Sequence, residues 1–442
     1  MAWLDLYRSR LTSAEKAVCA VGPAQTVFVG GNAATPRVLC RALARRAVEL
    51  PPDPVAGSPG LRVAHVLMLG EDPFADEKSR GLIRHLSFFV GPADREAVND
   101  GRSEYIPCNL SEIPALLRRE RPKVDAALLM TSPPDRHGFL SLGVEVMASL
   151  AAAEVARHVI VQVNPCMPRT YGNAFLHVSD VSAIVEAEEP LVELSDEAPP
   201  DEERQIASHI APLIPEGATL QLGIGGVPDA VLSLLQDRDD LGIHSEMISD
   251  GVMRAVESGM VTGRFKTRHG KKVVATFCLG TRTFYDWLHE NAIVEVHPCD
   301  HTNLPVSAAQ NYRLTSINSA LSVDLSGQVN ADSIGSKIYS GVGGQVDFVR
   351  ASTSSPGGRS FIALPSTAKS GTISRIVSTL AAGAGVVTTR ADVHTIVTEH
   401  GVAELHGRSL PERAEALIAI AHPKFRDELR EACTALRHRA RR

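Results

Sequence analysis

The 442-residue chain is longer than a single hydrophobic core usually organises, which predicts two domains. Hydrophobic residues make up 44% of it and charged residues 22%, which excludes a mostly disordered chain. Its 45 Lys and Arg against 51 Asp and Glu leave a net charge of −6, against a surface that grips nucleic acid or anionic membrane. Seven scattered cysteines form no CxxC pair, and no run approaches the roughly 18 apolar residues of a membrane span, so a cytoplasmic protein without disulfides is expected.

In chain order, short β-branched runs at 26–29, 63–69 and 159–163 alternate with amphipathic segments at 93–99 and 203–214, the rhythm of an α/β fold with a largely parallel sheet. The stretch 186–203, EAEEPLVELSDEAPPDEE, is acidic throughout and reads as a linker. This divides the chain into 1–187, a linker at 188–203, and 204–442. The halves echo each other. VFVGGNAATPRVLCRAL (27–43) and LQLGIGGVPDAVLSLL (220–235) both read as strand, Gly-rich turn, proline and helix, and AALLMTSPPDRHGFLSLG (126–143) pairs more weakly with SALSVDLSGQVNADSIG (319–335).

The loop Gly223-Ile224-Gly225-Gly226-Val227-Pro228 lies between a strand at 219–222 and a helix predicted over 229–236. Glycines there let backbone N–H groups approach an anion, or simply make a tight turn; with no GK[ST] following, the loop is not a P-loop. A second cluster, SGVGGQVDF at 340–348, also opens a helix, with Asp347 as an acid in its first turn. Between them, 241–247 reads as a short strand that delivers Glu246 to the end of the sheet, where open α/β folds place their ligand chemistry.

GIGGVPDAVL, HSEMISDGV, NADSIGSKIYSGVGGQVDF, ALPSTAKSG and VVTTRADVHTIVTEHGVAELHG, in this order, resemble the acetyl-CoA hydrolase/transferase family of class I CoA-transferases, and within it the 4-hydroxybutyrate and butyrate types. NPCMPRTYGNAFLHVSD and SPPDRHGFLSLG extend the resemblance into the first half. It implies two tandem, related α/β domains with the active site between them, Glu246 as the catalytic carboxylate, and transfer of CoA between a short-chain acyl-CoA and a carboxylate. Gly223, Ile224, Gly225, Gly226 and Val227 would contact CoA, with Val227 and Gly344 offering oxyanion-stabilising amides. Asn303 would stand beside the glutamate and Lys369 near the CoA phosphates or pantetheine. It also implies coenzyme A as substrate with no tightly bound cofactor or metal, and a homodimer. The alternatives are an acyl-CoA hydrolase and a nonenzymatic CoA sensor. One departure from the family is His297-Pro298-Cys299-Asp300-His301, whose histidines and cysteine would share a face at strand spacing, as acyl-pocket wall or zinc ligands.

Overall fold

A computed structural model describes residues 2–51, 60–69, 72–74, 81–194, 198–223 and 225–439. The chain divides into two compact units. The first comprises Met1–Asp196, Ile248–Asp250 and Val274–Thr302; the second comprises Glu197–Met247, Gly251–Val273 and Asn303–Arg442. The chain therefore passes from one unit to the other several times along its length. No helix among the described residues is long and apolar enough to cross a membrane.

The main sheet of the first unit contains β1 (Thr26–Val29), β2 (Leu61–His65), β3 (Ile83–Ser87), β4 (Glu104–Tyr105), β5 (Ala126–Thr131), β6 (His158–Val163) and β7 (Ala183–Glu186), in the spatial order β7-β6-β5-β1-β2-β3-β4. Every pairing in it is parallel. Parallel strands need crossovers that cover both faces, and this explains why β1 and β5 are buried at every position and read as continuous apolar runs. The crossover α1 (Arg37–Glu49) buries Leu39, Leu43 and Ala47 at helical spacing against Val27, Val29, Leu61 and Val63. A shorter helix, α2 (Arg95–Asn99), follows β3.

The second unit opens with α3 (Asp201–Ile210), which begins inside the acidic stretch. Its sheet contains β8 (Thr219–Leu222), β9 (Gly242–Ile243), β10 (Leu314–Ser319), β11 (Arg359–Ala363), β12 (Thr395–Thr398) and β13 (Gly401–Glu404), in the order β9-β8-β10-β11-β12-β13. All neighbours run parallel except the hairpin β12-β13. In each sheet the strand before a glycine turn lies inside the sheet, with the next strand in the chain on one side (β2 or β9) and a later one on the other (β5 or β10). The two units are thus related α/β layers, and the first sequence echo marks their matching strand and turn. The second echo does not survive: the strand beside β8 is β10, which ends at Ser319, whereas 322–324 belongs to a small separate sheet.

Candidate active site

Glu246 is placed by the edge of the second sheet. Beyond β9, the His244 N–H donates to the Leu220 carbonyl at 3.0 Å. Ser245 Oγ accepts from the Leu222 N–H at 3.1 Å and donates to the Leu222 carbonyl at 2.9 Å. These bonds fasten the chain to the C-terminal end of β8, so Glu246 emerges beside the glycine turn that leaves that strand. Asn303, fully buried, donates from Nδ2 to Glu246 Oε2 at 2.9 Å. The Gly344 N–H donates to the same carboxylate.

Gly344 is the N-cap of α5 (Gln345–Ser354), after α4 (Gly226–Leu234) in the chain, and follows Gly343, whose φ is +61°. A side chain at 344 would overlap both the Glu246 carboxylate and the Asn303 amide, so only glycine allows this backbone to approach. The turn is held by Gln345, whose Nε2 donates to the Ser319 carbonyl at the end of β10 and whose Oε1 accepts from Thr388 Oγ1, each at 2.7 Å.

Burial pushes the Glu246 carboxyl up to about 7. The Asn303 and Gly344 donors favour the anion and oppose that rise, while the carboxylate of Asp347, itself buried in the first turn of α5, adds to it. The outcome is a carboxyl near half-ionisation at neutral pH, with an orienting donor on two sides. Such a group can act as a nucleophile without first shedding a tight hydration shell.

The glycine turn after β8 is equally constrained. The Gly223 N–H donates to the Ile317 carbonyl at 2.9 Å, and Gly225 has φ +127° as the N-cap of α4. The helix starts at Gly226, three residues before the predicted start, because the turn at Gly225 completes the reversal and proline fits the first helical turn at Pro228. The amides of Gly226 and Val227 thus fall in the first turn, where helical geometry supplies no intrahelical acceptor. Ile224 lies outside the described residues. Lys369 sits exposed, at φ +48°, on the tip of the hairpin joining Thr367–Ala368 to Ile373–Ser374, and supplies none of the hydrogen bonds to Glu246.

The structure thus brings Glu246, Asn303 and Gly344 into contact and sets Gly223, and the start of α4 at Gly225–Val227, at the neighbouring strand end. Two acids were not visible as parts of this arrangement. Asp347 looked like an ordinary helix-start acid, and Glu203 belonged to the acidic stretch. In the fold Glu203 lies so close to Gly226 that a Cβ there would overlap it, and burial raises its carboxyl.

The one-face arrangement of His297, Cys299 and His301 is overturned. The strand at 294–296 ends before His297, and Cys299–Thr302 form a helical turn, as Pro298 cannot continue a ladder. Cys299 is fully buried with its Sγ donating to the Leu110 carbonyl at 3.0 Å, while the His297 and His301 rings stack at 4.3 Å.

The chain matches known proteins over nearly its whole length. The acetyl-CoA hydrolase/transferase N-terminal domain matches residues 4–194 and its C-terminal domain matches 280–433. The 4-hydroxybutyrate coenzyme A transferase of Clostridium kluyveri is 45% identical over 97% of this chain and 98% of its own. The crystal structure of RipA from Yersinia pestis superposes with a TM-score of 0.91 at 38% identity, covering 99% of this chain and all of that one. That of a 4-hydroxybutyrate CoA-transferase from Porphyromonas gingivalis gives 0.83, also at 38% identity, with the same coverage. The chain belongs to the acetyl-CoA hydrolase/transferase family.

Proposed function

We propose that this enzyme moves CoA between a short-chain acyl-CoA and a free carboxylate, such as acetate, butyrate or 4-hydroxybutyrate, through a glutamyl-CoA thioester on Glu246. The observation that carries the reading is the Glu246 carboxylate, largely removed from solvent yet held by Asn303 Nδ2 and the Gly344 N–H at the end of the sheet.

In the first step a Glu246 oxygen attacks the thioester carbonyl; a C–O bond forms, the C–S bond breaks, and CoA leaves as thiolate from a mixed anhydride. The thiolate then attacks the glutamyl carbonyl, forming the enzyme thioester and releasing the donor acid as its carboxylate. The acceptor carboxylate reverses both steps, so the thioester bond energy is kept in an acyl-CoA and no proton is consumed overall. The amides of Val227 and Gly344 stabilise the tetrahedral oxyanions, and Gly223, Gly225, Gly226 and Lys369 contact CoA. CoA is a substrate here, and each step uses only a carboxylate, a thiolate and hydrogen-bond donors. On this reading residues 204–442 carry the nucleophile, 188–203 link it to the domain of 1–187, and the enzyme works in the cytoplasm as a homodimer.

Incubation with acyl-CoA followed by borohydride should inactivate the enzyme and reduce Glu246, as read by peptide mass mapping. A label on another residue, or a Glu246→Ala variant that keeps most of its activity, would overturn the assignment. Light scattering that finds only a 47.3 kDa species at all concentrations would remove the dimer.

A further inference from the structure

A second cluster of chemistry-bearing side chains lies wholly within the first unit. His65 ends β2, His85 lies in the middle of the neighbouring β3, and Asp94 precedes α2. His65 and Asp94 are fully buried and His85 is 4% exposed. His65 Nε2 lies 2.9 Å from His85 Nδ1 and 3.8 Å from Asp94 Oδ2, and one ligand atom from each of the three falls within 4.8 Å of the others.

A fully buried carboxylate requires compensation. Asp94 accepts from the Gly91 N–H at 2.8 Å and from Ser87 Oγ, but among the described residues no Lys or Arg pairs with it. What faces it is imidazole nitrogen. Two imidazoles and one carboxylate are the donor set of zinc-class divalent ions, whose bonds of about 2.0–2.2 Å put tetrahedral ligand atoms roughly 3.3 Å apart. The separations of 2.9 and 3.8 Å straddle that spacing, and the third, between His85 and Asp94, is within 4.8 Å.

The surroundings match what such sites need. On the far side of the His85 ring, Nε2 lies 3.6 Å from Asp72 Oδ2, the carboxylate-behind-histidine arrangement that fixes a ligating ring's orientation. Ser87 Oγ also lies 3.4 Å from His65 Nε2, so it buttresses both His65 and Asp94. A cavity of about 270 Å³, lined by Asp72, Phe74, His85 and Ser103 among others, reaches the outer side of the same ring.

We propose that His65 Nε2, His85 Nδ1 and Asp94 Oδ2 form a binding site for a zinc-class divalent metal ion, with Asp72 as the outer partner of His85. The ion would staple β2, β3 and the start of α2 together. The site is independent of the transfer chemistry: Glu246, Asn303 and Gly344 all belong to the other unit.

The test uses the full chain, stripped with a chelator and then titrated with cobalt(II) or zinc(II). Cobalt should give one visible-absorbing, low-coordinate site per chain, and zinc should displace it and raise the melting temperature. Asp94→Asn keeps the shape of the side chain and should abolish the cobalt band and the zinc-induced shift. Asp72→Asn should weaken binding by about 10- to 100-fold, as loss of an outer-shell partner typically does. His301→Ala, at the stacked His297–His301 pair, should leave binding unchanged. A stripped protein that binds neither ion, or binding that survives Asp94→Asn or disappears with His301→Ala, would overturn the site. Circular dichroism of each variant separates loss of the ion from loss of the fold, and Asp72→Asn still decides the matter if Asp94→Asn unfolds. None of these readouts depends on Glu246 or on the transfer reaction.

Discussion

Glu246→Gln is expected to abolish transfer and yet make the protein more stable above neutral pH. The carboxyl titrates near 4.5 in an unfolded chain and at about 7 in the folded protein, chiefly because burial penalises its charge. Below pH 4.5 it is protonated in both states and costs nothing. As pH rises from 4.5 to 7 the unfolded chain releases the proton while the folded one retains it, so stability falls; above pH 7 the whole penalty is present. The rise corresponds to roughly 3 kcal/mol at full effect, and because the residue retains some solvent exposure about 1–2 kcal/mol is the sounder expectation. Glutamine preserves the shape and removes the charge. Urea unfolding of both proteins between pH 5 and pH 8 should therefore show a difference that is smallest at pH 5 and grows by about that amount in favour of the variant. Glu145, another carboxyl raised by burial to about 7, is common to both proteins and cancels. A difference that stays flat across this range, or a variant that loses stability relative to wild type as pH rises, would refute the argument that burial sets the Glu246 carboxyl.

Asn303→Ala removes a hydrogen bond to a charged oxygen, typically worth about 1.5–3 kcal/mol, so kcat/KM at pH 7 should fall about 10- to 100-fold; because the lost donor favoured the anion, the rising limb of the pH profile should move above 7. Gly344→Ala drives a methyl group into the Glu246 carboxylate and the Asn303 amide, and should lower kcat by at least about 100-fold; wild-type-like turnover would show that Gly344 does not approach the nucleophile. Asp347→Asn removes a nearby negative charge and should shift the same pH limb below that of wild type, the opposite direction to Asn303→Ala. With acetate supplied, acyl-CoA should be consumed to give acetyl-CoA faster than free CoA; equal release of free CoA with and without acetate would make the enzyme a hydrolase.

The parts of this site that follow from local chain geometry were legible in the sequence. A short strand delivering Glu246 and glycine turns opening helices at 226 and 345 are local patterns, and the linked motifs around them single out the carboxylate that Asn303 and Gly344 hold. What failed depended on where a local element stops. Gly225 at positive φ starts α4 early, and Pro298 ends the strand that would have aligned His297, Cys299 and His301. The buried His65, His85 and Asp94 gave no motif at all, because their elements adjoin through parallel crossovers and their sequence spacing carries no period. Glu203 and Asp347 were invisible for a related reason: whether an acid is solvated or buried against a glycine turn is decided by which helix packs over it.

The arrangement around Glu246 reconciles two demands that oppose each other. A carboxylate attacks a thioester only when ionised, which favours donors around it; it attacks well only when poorly solvated, which favours burial and a raised pKa. Enough cationic partners to hold it fully ionised would also bind it too tightly to release electron density. Here the donors are neutral, an amide side chain and a backbone N–H, and they act against burial and the buried Asp347, leaving the carboxyl near 7. Only glycine at 344 lets a backbone donor come this close, and the Gln345 anchors to Ser319 and Thr388 would hold that turn when, on the proposed mechanism, the carboxylate becomes an anhydride or thioester and loses its charge. On the proposed mechanism the Gly344 N–H, which moderates the nucleophile in the resting enzyme, also stabilises the oxyanion that develops after it attacks.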